Sequence, residues 1–547
     1  MADQPIRITV ANYGTITANN TVTSTNYVVY GEYKAGVTET ITNAATLVNT
    51  ESGGEGILIK TGASAGATTL VNKGFVQAEA EGILLQAESG LTRTLTISNT
   101  GTIIQSGNSS ATDAGIFANN GIVTNITNSG LIEGSNGIFL QVDDTGTQSV
   151  TNTATGIIEG TYQQYSASSS IYFGIKIQDN TAGAEGVGSV VNYGTIFGQI
   201  DDTALNFYIK DAGLVTHVGT RNQGIFGLYS GTIVLVNSAS ITGTVNIVNN
   251  KGGSSGLVLG TTSSTTSGGD LSDPGNFTGL SNVTVTSGST WTLGNTGTVA
   301  GFSGVSTIAD AGTIDVSGGL TTPVNDSGAV NVLSGGTTTG DTVNSGASLN
   351  VLGSGTANAT TVSSGGTETV SGAGAVASGG TVSSGGTETL SGGGVQSGGV
   401  DSGTEYVLSG GSTVSNTVAS GGKELVSSGG STTSSIILSG GSETVTNSGT
   451  TSGTVISNGG YEVVSSGGAA ISSVLSSGGT LIISSGGIAS NVTVGSGSTL
   501  TLLSGGILSG YTLAAGASLG AEVFISSGTA PNNFLSSLGS ATVNYNF

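Results

Sequence analysis

The sequence predicts an all-β protein built as a solenoid of stacked parallel strands, and three observations predict it. Nineteen residues separate Val407, Val426, Val445, Val464, Ile483 and Leu502, and the same step links Val418, Ile437, Ile456, Leu475, Val494 and Leu513. Ser-Gly-Gly punctuation falls between these columns, with Gly-Gly at 410–411, 429–430, 467–468, 486–487 and 505–506 in one series and at 421–422, 440–441, 459–460 and 478–479 in the other. No helical periodicity competes, and helix interiors this rich in Gly, Ser and Thr would be poor. Two apolar columns held in register over six turns mean that each unit stacks on the next. Strands about 4.8 Å apart then satisfy the backbone and turn every sequence column into a spatial ladder.

The elements follow in chain order. Over 1–251 a looser repeat alternates two signals. The first is Asn-x-Gly followed by apolar residues, at Asn12-Tyr13-Gly14, Asn72-Lys73-Gly74, Asn99-Thr100-Gly101, Asn128-Ser129-Gly130 and Asn192-Tyr193-Gly194. The second is Gly-Ile, at 56–57, 82–83, 115–116, 137–138, 174–175 and 224–225. From Gly74 to Gly101 is 27 residues and from Gly101 to Gly130 is 29, so three strands per coil are expected. Asn and Gly are expected at corners, where left-handed backbone angles are needed. Residues 252–330 break both rhythms, with a Ser/Thr/Gly-rich stretch, Pro274 and the only Trp, Trp291, and read as an insertion followed by resumed coils. From 331 to 547 the short repeat takes over, its two Gly-Gly series dividing each rung into parts of 8 and 11 residues that hold two or three short strands, with a C-terminal cap or strand.

Composition bounds the function. Gly is 97 of 547 residues, Pro 4 and charged residues 8%, whereas a disordered chain of this polarity would carry more charge and Pro. The net charge of −22 comes from 32 acidic and 10 basic residues, and after Lys251 the only basic residue is Lys423. That excludes nucleic acid as a partner, since phosphate neutralisation needs Lys and Arg. With no Cys there are no disulfides and no thiol chemistry. The first thirty residues lack the pattern of a cleaved signal peptide, and no apolar run of about 18 residues predicts a membrane span.

The units Val362-Ser363-Ser364-Gly365-Gly366-Thr367-Glu368-Thr369-Val370 and Val382-Ser383-Ser384-Gly385-Gly386-Thr387-Glu388-Thr389-Leu390 resemble the AIDA-type repeat of bacterial autotransporter adhesins. The resemblance covers roughly 331–520 and extends to the N-terminal half only in style. It implies a right-handed parallel β-helix displayed outside the cell, acting in adhesion, aggregation or biofilm and sometimes glycosylated on Ser and Thr. The chain resembles a passenger without its transporter, because neither a signal peptide nor the amphipathic strands of a C-terminal barrel are read from it. Similar repeats precede hedgehog/intein-like self-processing domains and occur in type I secretion substrates, so the export route stays open.

Parallel β-helices also host polysaccharide lyases and hydrolases, which work with clustered carboxylates or with a base beside Arg or Lys. The acids Asp143-Asp144 and Asp201-Asp202, with Lys210, Asp211, His217 and Arg221, make 130–230 the only region where such a site could form; their ordinary reading is solvated loop acids. Asp270 and Asp273 flank a Gly-rich loop without EF-hand spacing or a Gly-Gly-x-Gly-x-Asp array, so no cofactor is expected and calcium is the one ion left open. Glu368, Glu388, Glu405, Glu424, Glu443 and Glu462 recur at one place in the rung, two residues after a turn glycine. Stacked like charges repel, so this column is expected outside, at the corner before strand alternation starts, as a solubilising edge or a cation-binding stripe. That placement overrides parity, since Glu424 and Val426 share one face of a strand.

The leading expectation is a non-catalytic structural or adhesive protein, secreted or at the cell surface, whose partners are surface glycans or other copies of itself. The alternative is a carbohydrate-active β-helix enzyme acting at 130–230. A third class is a self-assembling fibre, joined through the strand-like segments 6–10 and 541–545 into a homopolymer.

Overall fold

The computed structural model describes residues 299–521 without a break and, before them, 6–9, 14–16, 20–22, 27–33, 39–61, 67–87, 93–107, 112–119, 122–142, 147–161, 173–179, 187–202, 206–211, 214–216, 223–227, 230–236, 240–241, 244–247, 254–261, 269–271 and 274–294. The C-terminal segment 541–545 and the residues Asp143, Asp144, His217, Arg221 and Asp273 lie outside the described residues. Among the described residues there is no α-helix, only one 3-10 turn at Pro274–Asn276, and no helix long and apolar enough to cross a membrane. Two compact units are present, with their boundary running through 271–305.

The first unit has three strands per coil, as the 27- and 29-residue steps predict, and among the described residues its strand pairs are parallel. One coil comprises Ile83–Ala87, Arg93–Asn99 and Thr102–Gln105, and the next comprises Ala114–Ala118, Ile122–Asn128 and Leu131–Gly134. The isoleucines of the Gly-Ile motif, joined by Ile200, form one inward column, Ile57–Ile83–Ile116–Ile138–Ile175–Ile200–Ile225, closed from solvent. Ile97–Ile126–Val150–Val190 and Ile103–Ile132–Ile158–Ile196 supply the other two walls. Each such side chain contributes about 1.5–3 kcal/mol on burial. The motif glycine is needed because its strand runs against a neighbour: a Cβ on Gly82 would stand 2.6 Å from the Gly115 carbonyl oxygen and 2.6 Å from Ile103 Cγ2.

Asn-x-Gly does not make left-handed corners, which corrects that expectation. Neither Asn72, Asn99 and Asn128 nor Gly74, Gly101 and Gly130 has positive φ. The asparagines instead end the second strand of each coil and point inward as a buried ladder. Nδ2 of Asn43 donates to Oδ1 of Asn72, Asn72 to Asn99 and Asn99 to Asn128, each at 2.8 Å, and Asn128 donates to Asn152 at 3.0 Å. The side-chain oxygen also closes the turn by accepting from the amide two residues on, as Gly130 N does at 3.2 Å from Asn128 Oδ1. Glycine follows because a Cβ on Gly101 would lie 2.0 Å from the Gly74 carbonyl oxygen.

The second unit also has three strands per rung, short ones, as in Lys423–Val426, Ser431–Thr433 and Ile436–Ile437. Val426 pairs in register with Val445 and Val445 with Val464, all fully buried, and Val418–Ile437–Ile456–Leu475 form a second buried column. At Ile488–Val494 the last two strands of the rung merge into one that pairs with both Ala469–Ile471 and Val474–Leu475. The Gly-Gly pair divides two tasks. Gly429 turns the corner at φ +86°, and Gly430 lets it pack, since a Cβ there would stand 2.2 Å from the Val407 carbonyl oxygen.

Candidate functional site

The largest correction concerns the glutamates. Each is the second residue of the first strand of its rung and shares the face of the valine, or at Glu388 the leucine, two residues later, so alternation starts before the glutamate and the side chain points inward. Glu368, Glu388, Glu405, Glu424, Glu443 and Glu462 pair in register from rung to rung and are 2% exposed or less. They interrupt an apolar column, with Leu349 before Glu368 and Leu481 after Glu462. A solubilising edge is therefore not what they form. The outward places beside them belong to Thr367, Lys423 and Tyr461.

Burial is tolerated because the facing interior rows carry hydroxyls and amides. Gln396 Nε2 donates to Glu388 Oε2 at 3.0 Å, Thr413 Oγ1 to Glu424 Oε1 at 2.9 Å, and Asn416 Nδ2 to Glu405 Oε2 and Asp401 Oδ2. Around Glu443, Thr432 Oγ1 lies 2.8 Å from Oε1 and Thr454 Oγ1 3.2 Å from Oε2. Thr451 bridges these two hydroxyls, at 2.7 Å from Thr432 and 2.6 Å from Thr454. Six full charges about 4.8 Å apart would repel by roughly 3–4 kcal/mol per neighbouring pair even at an effective dielectric near 20. Burial first and the neighbouring carboxyls second push the Glu368 carboxyl up to about 8, and those of Glu388, Glu405, Glu424 and Glu462 well above the carboxylate range. Glu443 is raised too, against the lowering influence of its three threonines. Earlier in the same unit, Asp310 and Asp326 are register partners, and burial lifts them to about 7 and about 6.

In the first unit, of the acids singled out in 130–230, the described ones are Asp201, Asp202 and Asp211. Asp202 is buried in a strand, which corrects its reading as a solvated loop residue; the nearby Asp211 is buried in a strand too, and its Oδ1 accepts from Asn192 Nδ2 at 2.8 Å. Asp201 is paired in register with Lys176 on the outward face of Gln199–Asp202. Lys176 Nζ sits 4.8 Å from the ring centre of Phe139 and 5.0 Å from that of Phe173. Desolvation lifts the Asp201 carboxyl to about 7, Lys176 acting against it, and lowers the Lys176 ammonium. Lys210 lies apart from that pair, its Nζ 5.6 Å from the ring centre of Tyr193. Among the described residues no group of three or more His, Cys, Asp or Glu is arranged to hold a metal ion.

The chain is thus a parallel β-helix, defined by coils of parallel strands around ladder-built cores. No family model and no curated relative matches it. Among solved structures it is similar to the crystal structure of a TibC-catalysed, hyper-glycosylated TibA fragment, residues 55–350, at 32% identity, over 40% of this chain and 84% of that one, with a TM-score of 0.33.

Proposed function

We propose that the protein is a secreted or surface-displayed structural and adhesive β-solenoid without catalysis, acting in adhesion, aggregation or a biofilm matrix. One observation carries this reading: outward rows repeat hydroxyl and amide side chains over several successive rungs. Ser348, Thr367, Thr387 and Thr404 follow one another in register, as do Asn350, Thr369 and Thr389, while Tyr406 and Tyr461 expose ring faces of the kind that sugars stack on. A surface that repeats at strand spacing suits many weak contacts with a repeating partner, a surface glycan or another copy of the chain. The AIDA-type repeat points the same way. End-to-end pairing is the form of self-association this reading includes, and the strand Ile6–Thr9, paired on one side with Val29–Glu32, is the described segment that would take part. Beads coated with the intact chain are expected to clump or to bind glycan-bearing surfaces, and inert beads on every surface would count against the proposal.

The enzymatic alternative is favoured by one observation, the Lys176–Asp201 pair with its shifted acid and base. A reducing-end assay on acidic and neutral polysaccharides tests it, and turnover lost in Asp201→Asn would establish it over the adhesive reading.

A further inference from the structure

The buried glutamates are used by neither reading, and hydrogen counting around Glu443 shows what they hold. Four oxygen-to-oxygen contacts close a ring: Glu443 Oε1 to Thr432, Thr432 to Thr451, Thr451 to Thr454, and Thr454 to Glu443 Oε2. Three hydroxyls bring three hydrogens. The fourth contact is a hydrogen bond only if the carboxyl itself is protonated, one oxygen donating and the other accepting. All four residues are closed from solvent, so water does not supply the missing hydrogen.

The rest of the column has the same need. Glu368 Oε1, Glu388 Oε1 and Glu405 Oε1 are buried without a hydrogen bond in the protein. Ser435 and Ser473 face the carboxyls of Glu424 and Glu462, and the single hydroxyl hydrogen of Ser473 leaves at least one Glu462 oxygen unpaired. A carboxylate would leave these as bare acceptors, whereas an acid O–H can donate along the column. The groups facing the column from the other walls are Gln396, Thr413, Asn416, Ser435, Ser473 and the threonines above, all neutral, and the carboxyls Asp341 and Asp401, which add negative charge. No positive group faces it, because Lys423 is exposed on the opposite side of its strand and is the only basic residue after Lys251.

We propose that the six glutamates form a proton-binding core: the second unit folds by taking up protons on this column and loosens when alkaline pH removes them. The sign follows from linkage. A buried acid raised above its ordinary value near 4.5 gives stability that is complete below that value and is lost as pH rises through the folded one, about 8 at Glu368 and well above the ordinary value at Glu388, Glu405, Glu424 and Glu462. Each proton released multiplies the unfolding equilibrium constant by about ten per pH unit.

The test is denaturant unfolding of the intact chain between about pH 6 and 9, where ordinary carboxylates are already ionised and ordinary Lys and Tyr are not yet titrating, in a background of Asp310→Asn and Asp326→Asn, which removes the two other acids of this unit that titrate near 7 and 6. The transition of the second unit should move to lower denaturant as pH rises, and infrared spectra at neutral pH should show the carbonyl stretch of protonated carboxylic acids. Glu443→Gln keeps a donor and an acceptor in the ring, so that variant, alone or with Glu424→Gln, should fold and lose part of the pH dependence; Glu443→Leu should be weaker at every pH. The proposal is overturned by a transition that stays level or rises with pH, by the absence of the protonated-acid band, or by Gln variants that are destabilised throughout. Stabilisation by added sodium or calcium at fixed pH, reversed by its removal, would show cations in place of protons and overturn it equally.

Discussion

Asn192 Nδ2 donates to Asp211 Oδ1 at 2.8 Å, so a ladder of amides that begins at Asn43 passes its last bond to an acid. Every interior asparagine between them both accepts from one neighbour and donates to the next. Asn99→Leu should therefore cost more than one hydrogen bond, because it strips the acceptor from Asn72 and the donor from Asn128 at once. A loss of about 2–4 kcal/mol is expected in denaturant unfolding of the first unit.

Val445 lies between Val426 and Val464 in a fully buried column. Val445→Asp places a charge there without a partner and should destabilise the second unit by about 3 kcal/mol or more. Val445→Thr, which keeps the shape, should cost less. Equal unfolding midpoints for the two variants would contradict the stacked column.

The two glycines of a turn should differ in sensitivity. Gly429→Ala meets open space but has φ +86°, and should cost about 1–2 kcal/mol. Gly430→Ala drives a Cβ into the Val407 carbonyl and should cost more, since backbone must shift. Thermal unfolding of the two variants side by side gives the order.

Asp201 carries its own pH signature. Its folded value near 7 lies above its ordinary one near 3.8, so its contribution is complete in acid and is lost as pH rises through about 7. Asp201→Asn should leave the first unit unchanged near pH 4 and flatten its loss of stability between about pH 5 and 8. Urea midpoints across that range check it.

The columns Val407–Ile483 and Val418–Val494 were legible because a period of 19 with apolar side chains admits one physical explanation, a shared interior wall. The three-strand coil followed from the Asn-x-Gly and Gly-Ile spacings. The glutamates show where sequence logic fails: parity put Glu424 beside Val426, and Coulomb repulsion argued it outside. Repulsion loses because an acid can shed its charge, and because Thr413, Thr432 and Asn416 wait across the coil. Those partners lie 11 residues away in either direction, a pairing that appears only once the rung is closed. The asparagines misled for a related reason. Asn at a turn suggests left-handed backbone, yet its recurrence at 72, 99 and 128, always as the last residue of a strand, was the signal of a side-chain ladder.

The adhesive reading rests on repetition, and adhesion measured against rung number tests it most directly. Deleting residues 431–487, three periods of 19, joins equivalent positions and should leave a folded, shorter solenoid. Beads carrying that chain should adhere several-fold more weakly than beads carrying the intact one, because avidity falls with the number of repeated contacts. Unchanged adhesion after deletion, or an intact chain that adheres to nothing while turning over a polysaccharide, would contradict it.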